Sequence, residues 1–214
     1  MTTYLCNISP VESDYIAHMN QTTLAALSAF ALVSSITPGP NNMMLMASGA
    51  NFGLRRTVPH ALGVGIGFTL MIFLVGVGLM GLFDLFPVLN IVLKAVSVAY
   101  LLWLAWKIAN AAAPGDNDSP RGKPMSFFQA MAFQWVNPKA WSMALSAIAL
   151  YAPDRNFVAV LLVALIFGII NLPSTGLWAV MGMSLRGWLS SPARLRAFNW
   201  TMAALLVGSL ALLI

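Results

Sequence analysis

An all-α integral membrane protein with six transmembrane helices is the fold class the sequence predicts, on three observations. Of 214 residues, 59% are hydrophobic and only 8% charged, against roughly a quarter charged in an ordinary soluble domain. Apolar runs such as 61–83 and 158–170 are interrupted by little more than Gly and Thr, and crossing a hydrocarbon core of about 30 Å takes roughly 20 helical residues. These runs are continuous, whereas a membrane barrel alternates apolar and polar residues with period two. A soluble enzyme, a disordered tail and a secreted disulfide scaffold are excluded together.

Six spans are read at about 22–47, 57–83, 86–110, 126–150, 156–184 and 197–214. Each is helical because a peptide group left unpaired in lipid costs several kcal/mol. Residues 1–18 lack a basic stretch followed by an apolar one, so they read as a polar tail and not a signal peptide, with Met19 an alternative natural start. The first span is broken by Thr37-Pro38-Gly39-Pro40-Asn41-Asn42. In the second, Gly63 and Gly67 form a small-xxx-small pair, with Gly65 between them; such a face packs closely and would permit a homodimer. In the third, Lys94 lies near an end and snorkels, and Tyr100, Trp103 and Trp106 lead into Lys107 as an interfacial anchor. The Pro-, Gly-, Asp- and Asn-rich stretch 111–124 is a loop that divides the spans three and three. The fourth span is broken by Asn137-Pro138-Lys139, and the fifth, near its middle, by Asn171-Leu172-Pro173-Ser174-Thr175, which either lines the same cavity or lends Ser174 and Thr175 to bonds with neighbouring helices.

The net charge of +5 is carried mostly by loops between apolar segments. Arg55, Arg56, Arg121, Lys123, Arg186, Arg194 and Arg196 share one side, with Lys107 beside them, while Arg155 lies on the other with Glu12, Asp14, Asp84 and Asp154. The positive-inside rule then places the basic loops in the cytoplasm and both chain ends outside it, in an inner membrane and with no nucleic-acid partner. Cys6 is the single cysteine, and His18 and His60 are too few and too distant for a histidine site, so neither a metal nor a cofactor is expected.

Three spans per half make the two halves enter the membrane from opposite sides, the condition for a 3+3 inverted repeat. Paired breaks in the first and fourth helices point to a midplane transport site. Pro38 and Pro40 free the carbonyls of Ser34 and Ile36, Pro138 frees that of Gln134 and Pro173 that of Ile169. A packing kink repaired by Ser34, Ser35 and Thr37 is the alternative reading of the first break. Lys139 puts an ammonium deep in a span, where it needs a partner, a watery cavity or release of its proton; a lysine snorkelling to an interface is the alternative reading. No Asp or Glu lies deep in any span, which argues against a carboxylate-lined metal pathway. Freed carbonyls and Asn side chains suit an ammonium, and Lys139 with the half-helix N-termini suits a carboxylate. The pair describes a small zwitterion such as a free amino acid. Asn41, Asn42, Asn137, Lys139 and Asn171 are the candidate binding residues; Thr37, Pro38, Gly39, Pro40, Pro138 and Pro173 shape the breaks. No Gly-x-Ser-x-Gly motif supports a membrane protease.

TPGPNN at 37–42, the Gly53-Leu54-Arg55-Arg56 loop, the glycines of ALGVGIGF, the segment AYLLWLAWKIA and Asn137-Pro138-Lys139 together resemble the LysE/RhtB family of bacterial amino-acid exporters. The resemblance covers about 19–214. It implies a LysE-type translocator domain of six helices in the inner membrane, exporting small amino acids or their derivatives under the proton-motive force. TPGPNN and WLAWKIA are most similar to the cysteine/O-acetylserine branch, with the homoserine/threonine branch next. A titrating Lys139 would couple export to protons. A passive small-solute channel or a non-transporting membrane scaffold, with prolines that only kink helices, is the rival reading.

Overall fold

The computed structural model describes residues 21–79, 85–86, 88–110 and 123–208. The polar tail, Asp84, Arg121, most of the midchain loop and the last residues of the sixth span lie outside the described residues. Among those described are eight α-helices and no strand.

Helices α1 (Gln21–Ile36) and α2 (Pro40–Phe52) are the two halves of one bent segment, turned by 53° at the Thr37–Gly39 break. Gly53 follows with φ 78, a left-handed conformation that favours glycine, and turns the chain into α3 (Leu54–Leu74). A π-helical turn, Val75–Leu79, extends α3. α4 is Val88–Ala109, and α5 (Phe127–Phe133) leads through a 3₁₀ turn, Gln134–Val136, into α6 (Pro138–Tyr151). α7 is Phe157–Ser184; after the 3₁₀ turn Trp188–Ser190, α8 runs over Pro192–Gly208.

By length and composition three of these helices can cross a membrane, Leu54–Gly78, Ile91–Ala109 and Phe157–Ser184, and α1 with α2 makes a fourth crossing if taken as one span. The fourth span is divided at the Asn137-Pro138-Lys139 break, with a half-helix of 7 residues before it and one of 14 after it, because the chain leaves helical geometry at Asn137.

The fifth span does not break. α7 is continuous over 28 residues with Pro173 inside it. Lipid enforces this continuity, since a helix there has no water to satisfy opened peptide groups. The Thr175 hydroxyl donates to the Leu172 carbonyl at 2.7 Å across the proline.

Helices in lipid gain little from hydrophobic burial against one another, so close van der Waals packing at small residues holds them together. α6 presents Ala140, Ala144 and Ala147 to a core that also contains Leu27 and Ala31 of α1, Phe68 and Met71 of α3, and Val163 and Phe167 of α7. Phe167 meets Phe30 and Phe68 edge-on, at ring-centroid distances of 5.9 and 5.8 Å. The Gly63/Gly67 face is indeed a close-packing face, but its partner is internal. A Cβ at Gly63 would overlap the Phe127 carbonyl, and one at Gly67 would stand 2.7 Å from Met131 Cα. α5 therefore covers the face that would have permitted a homodimer.

Candidate functional site

The two breaks share one construction. An extended residue, Gly39 or Asn137, precedes a proline in the first turn of the next helix, where its missing N–H removes no helical bond. Pro40 and Pro138 thus start half-helices. At the first break the Asn42 amide donates to the carbonyls of Ser35 (2.8 Å) and Thr37 (2.9 Å). At the second, Asn137 Oδ1 accepts from the Lys139 backbone N–H at 3.1 Å. The carbonyl of Gln134, freed by Pro138, accepts instead from the Asn137 N–H at 3.3 Å.

Lys139 joins the breaks. Its ammonium donates to the carbonyl of Thr37 at 2.5 Å, with the Pro38 carbonyl at 3.4 Å. The carbonyls engaged across the first break are thus those of Ser35, Thr37 and Pro38, displaced from the Ser34 and Ile36 of a simple proline count because α1 already ends at Ile36. Gly39 lets the lysine stem pass, since a Cβ there would stand 2.5 Å from Lys139 Cδ. Asp154 is the single acidic side chain among the described residues, and no carboxylate pairs with this ammonium there.

All five sequence-predicted binding residues, Asn41, Asn42, Asn137, Lys139 and Asn171, line one cavity, with Ser34, Ser35 and Gly39. Of the expected break residues only Gly39 lines it; the carbonyls of Thr37 and Pro38 hold Lys139, Pro40 starts α2, and Pro138 opens the half-helix that carries Lys139. Pro173 stands two residues beyond Asn171 in an unbroken helix. The water-sized space inside is about 20 Å³, room for about one water. In this state the cavity is contracted around the lysine.

Two polar groups missed as ligands appear in the structure. Gln134, fully buried, exchanges two hydrogen bonds with Asn41, at 2.8 and 3.2 Å, and donates to the Ala130 carbonyl at 2.9 Å. A glutamine in an apolar run four residues before a proline was the available signal. The hydroxyl of Ser35 is buried without a partner, and among the described residues no hydrogen bond engages the Asn171 amide. Asn41, Asn42 and Asn137 therefore already hold the broken backbone, while Ser35 and Asn171 keep unused hydrogen-bonding capacity toward the cavity. Gln134→Leu strands the Asn41 amide; because Asn41 borders the cavity and can take a water, the expected loss is about 1 kcal/mol, read as a lowered unfolding temperature in detergent.

The positive ends of α2 and α6 and the carbonyl end of α1 meet here, so the site offers complementary fields to an anion and a cation within one small volume. Among the described residues no cluster of His, Cys, Asp or Glu suits a metal ion.

The chain is similar to a cysteine/O-acetylserine efflux protein of Klebsiella pneumoniae, 29% identical over 191 residues that cover 88% of this chain and 95% of the relative. Against the protein of that name from Escherichia coli K12 identity is 30% over 166 residues, covering 77% and 84%. The Salmonella typhimurium protein of the same name is 28% identical over the same shares. No solved structure matches. The LysE type translocator family profile matches residues 32–214, from the last turns of α1 through both breaks to the C-terminus, and so this chain belongs to the LysE type translocators, membrane transporters rather than enzymes.

Proposed function

We propose that this translocator exports small amino acids or their derivatives from the cytoplasm across a bacterial inner membrane. Cysteine and O-acetylserine are the first substrate class, homoserine and threonine the second, and the proton-motive force is the drive. The observation that carries the reading is the bond from the Lys139 ammonium to the Thr37 carbonyl, a cation from one broken helix held by the opened backbone of the other. That carbonyl site is where a substrate ammonium fits. A zwitterion entering the cavity displaces Lys139 from Thr37 and Pro38, and the released lysine then faces the substrate carboxylate.

Residues 19–214 are read as one translocator domain of six spans in a 3+3 inverted repeat. α1 and α2 form the broken first helix, α5 and α6 the broken fourth. Asn171 and Ser35 reach the substrate directly, and Asn41, Asn42 and Asn137 add their remaining polar valences while holding the breaks. With the basic loops in the cytoplasm both chain ends face outward, and rocking of the halves about the cavity exposes it to each side in turn. Release and recapture of a proton by Lys139 during the return step couples the cycle to the gradient.

Uptake of labelled cysteine, O-acetylserine, threonine, homoserine and lysine into everted vesicles tests the proposal, because inversion turns export into accumulation. Accumulation of the first two compounds, dependent on an imposed proton gradient, is expected. Equilibration that ignores the gradient would mean a passive channel, and no movement of any compound a scaffold.

A further inference from the structure

We infer that a second binding site for the transported amino acid lies in the chamber where His60, Ser48 and Asn51 meet Lys107 and Lys123. The inference rests on the export reading above and adds a loading site to it. The chamber has a volume of about 410 Å³ and a mostly apolar wall, to which Met44 and Leu104 contribute. That is the size and character of a small-molecule pocket, and far larger than the contracted central cavity.

His60 is the group without a structural explanation. It is 1% exposed, lines the chamber, and neither of its ring nitrogens has a partner. Its polar neighbours are satisfied: the hydroxyls of Ser48 and Thr57 bond each other at 2.9 Å, and the Asn51 amide donates to Asn199 Oδ1 at 3.0 Å and the Ala47 carbonyl at 2.8 Å. A buried imidazole left unpaired opposes folding, so a packing role alone does not account for it. As neutral imidazole it keeps one donor and one acceptor unused, and a turn of the ring into the chamber it lines would offer them to a hydroxyl, thiol or ester on a short side chain.

Cations border the same chamber. Lys107 and Lys123 both line it, and none of the described lining residues is acidic. The Lys107 ammonium lies over the Trp103 ring, 4.6 Å from its centroid, a cation–π contact that positions the charge without neutralising it. An amino acid can supply both, a carboxylate for the lysines and a short polar side chain for His60.

Position supports the assignment. α2 forms a wall of both spaces: Asn41 lines the central cavity, and Met44, Ser48 and Asn51, continuing at helical spacing, line the chamber. Asn41 and Ser48 are separated by about 10 Å of helix rise. Lys107 and Lys123 flank the midchain loop, so the chamber lies at the end assigned to the cytoplasm, where cargo for export is collected.

Equilibrium dialysis of labelled O-acetyl-L-serine against the purified full chain in nanodiscs tests this. Two molecules bound per chain are expected, falling to one in His60→Leu and to one in Lys139→Ala. In everted vesicles His60→Leu should raise KM about tenfold with the maximal rate within about twofold, the pattern of lost ground-state binding. His60→Gln, which keeps a donor and an acceptor, should restore most of the affinity, an outcome that a misfolded leucine variant cannot mimic. Two bound molecules in His60→Leu with unchanged KM would overturn the chamber and leave the export reading standing. No binding to the unsubstituted protein would overturn both.

Discussion

Lys139→Ala is expected to abolish gradient-dependent export, lowering it by about 100-fold or more, while folded protein remains in the membrane. A hydrogen bond from a charged group contributes about 1.5–3 kcal/mol, and about 2.7 kcal/mol corresponds to 100-fold in rate. The lysine has two roles to lose: it occupies the opened carbonyls in the contracted state, and it supplies the positive charge for a carboxylate in the loaded one. The fold should tolerate its removal, because the carbonyls of Thr37 and Pro38 lie beside the Lys139 ammonium at the central cavity and can take a water in the space the lysine leaves, at a cost of about 1 kcal/mol. Lys139→Arg separates charge from proton transfer. An arginine stays charged throughout, so substrate exchange without a gradient should survive in part and gradient-driven accumulation should not. Transport measured in everted vesicles, with membrane content measured on the same preparations, decides both. Normal export by the alanine variant would remove Lys139 from the mechanism.

The breaks were legible because they violate the local rule. In a chain that must keep every peptide group bonded, Pro, Gly, Asn and Lys inside an apolar run have few ordinary uses, and the five residues picked on that ground line a single cavity. What the sequence concealed is long-range. Asn41 and Gln134 stand 93 positions apart, and no local periodicity announces their pairing. Asn171 was noticed for a helix break that does not exist; its polarity in an apolar run, not Pro173, was the informative feature. His60 stands in the sequence only as one of two distant histidines, and only the tertiary packing reveals that it is buried and unpaired. Gly63 and Gly67 advertised a packing face correctly, but spacing within one helix carries no information about whether the partner is the same chain or another.

Gly182→Val is expected to remove most folded protein from the membrane, whereas Gly176→Ala in the same helix should leave yield and stability unchanged or slightly higher. A Cβ at Gly182 would overlap the Met46 carbonyl, and a Cβ at Gly49 would overlap that of Ala179, so α2 and α7 touch backbone to backbone. A flexible side chain could swing away from an added methyl, but a helical carbonyl cannot, and the helices must separate. Overpacking commonly costs about 1–3 kcal/mol, and this crossing should reach the upper end because no hydrophobic force draws helices back together in lipid. The damage would spread along α2, which carries Asn41 and Asn42 at the central cavity, Ser48 at the chamber, and Asn51 in its amide pair with Asn199 of α8. At Gly176 a Cβ would meet nothing within 4 Å, and alanine is the better helix former by about 1 kcal/mol. Monodisperse yield and thermal unfolding in detergent compare the two variants. A valine variant as stable as the parent would mean that the helices do not cross this closely. The predicted sensitivity follows from the break itself: a half-helix cut loose at Gly39 has lost its covalent alignment with α1, and contact with the unbroken α7 is what keeps it in place.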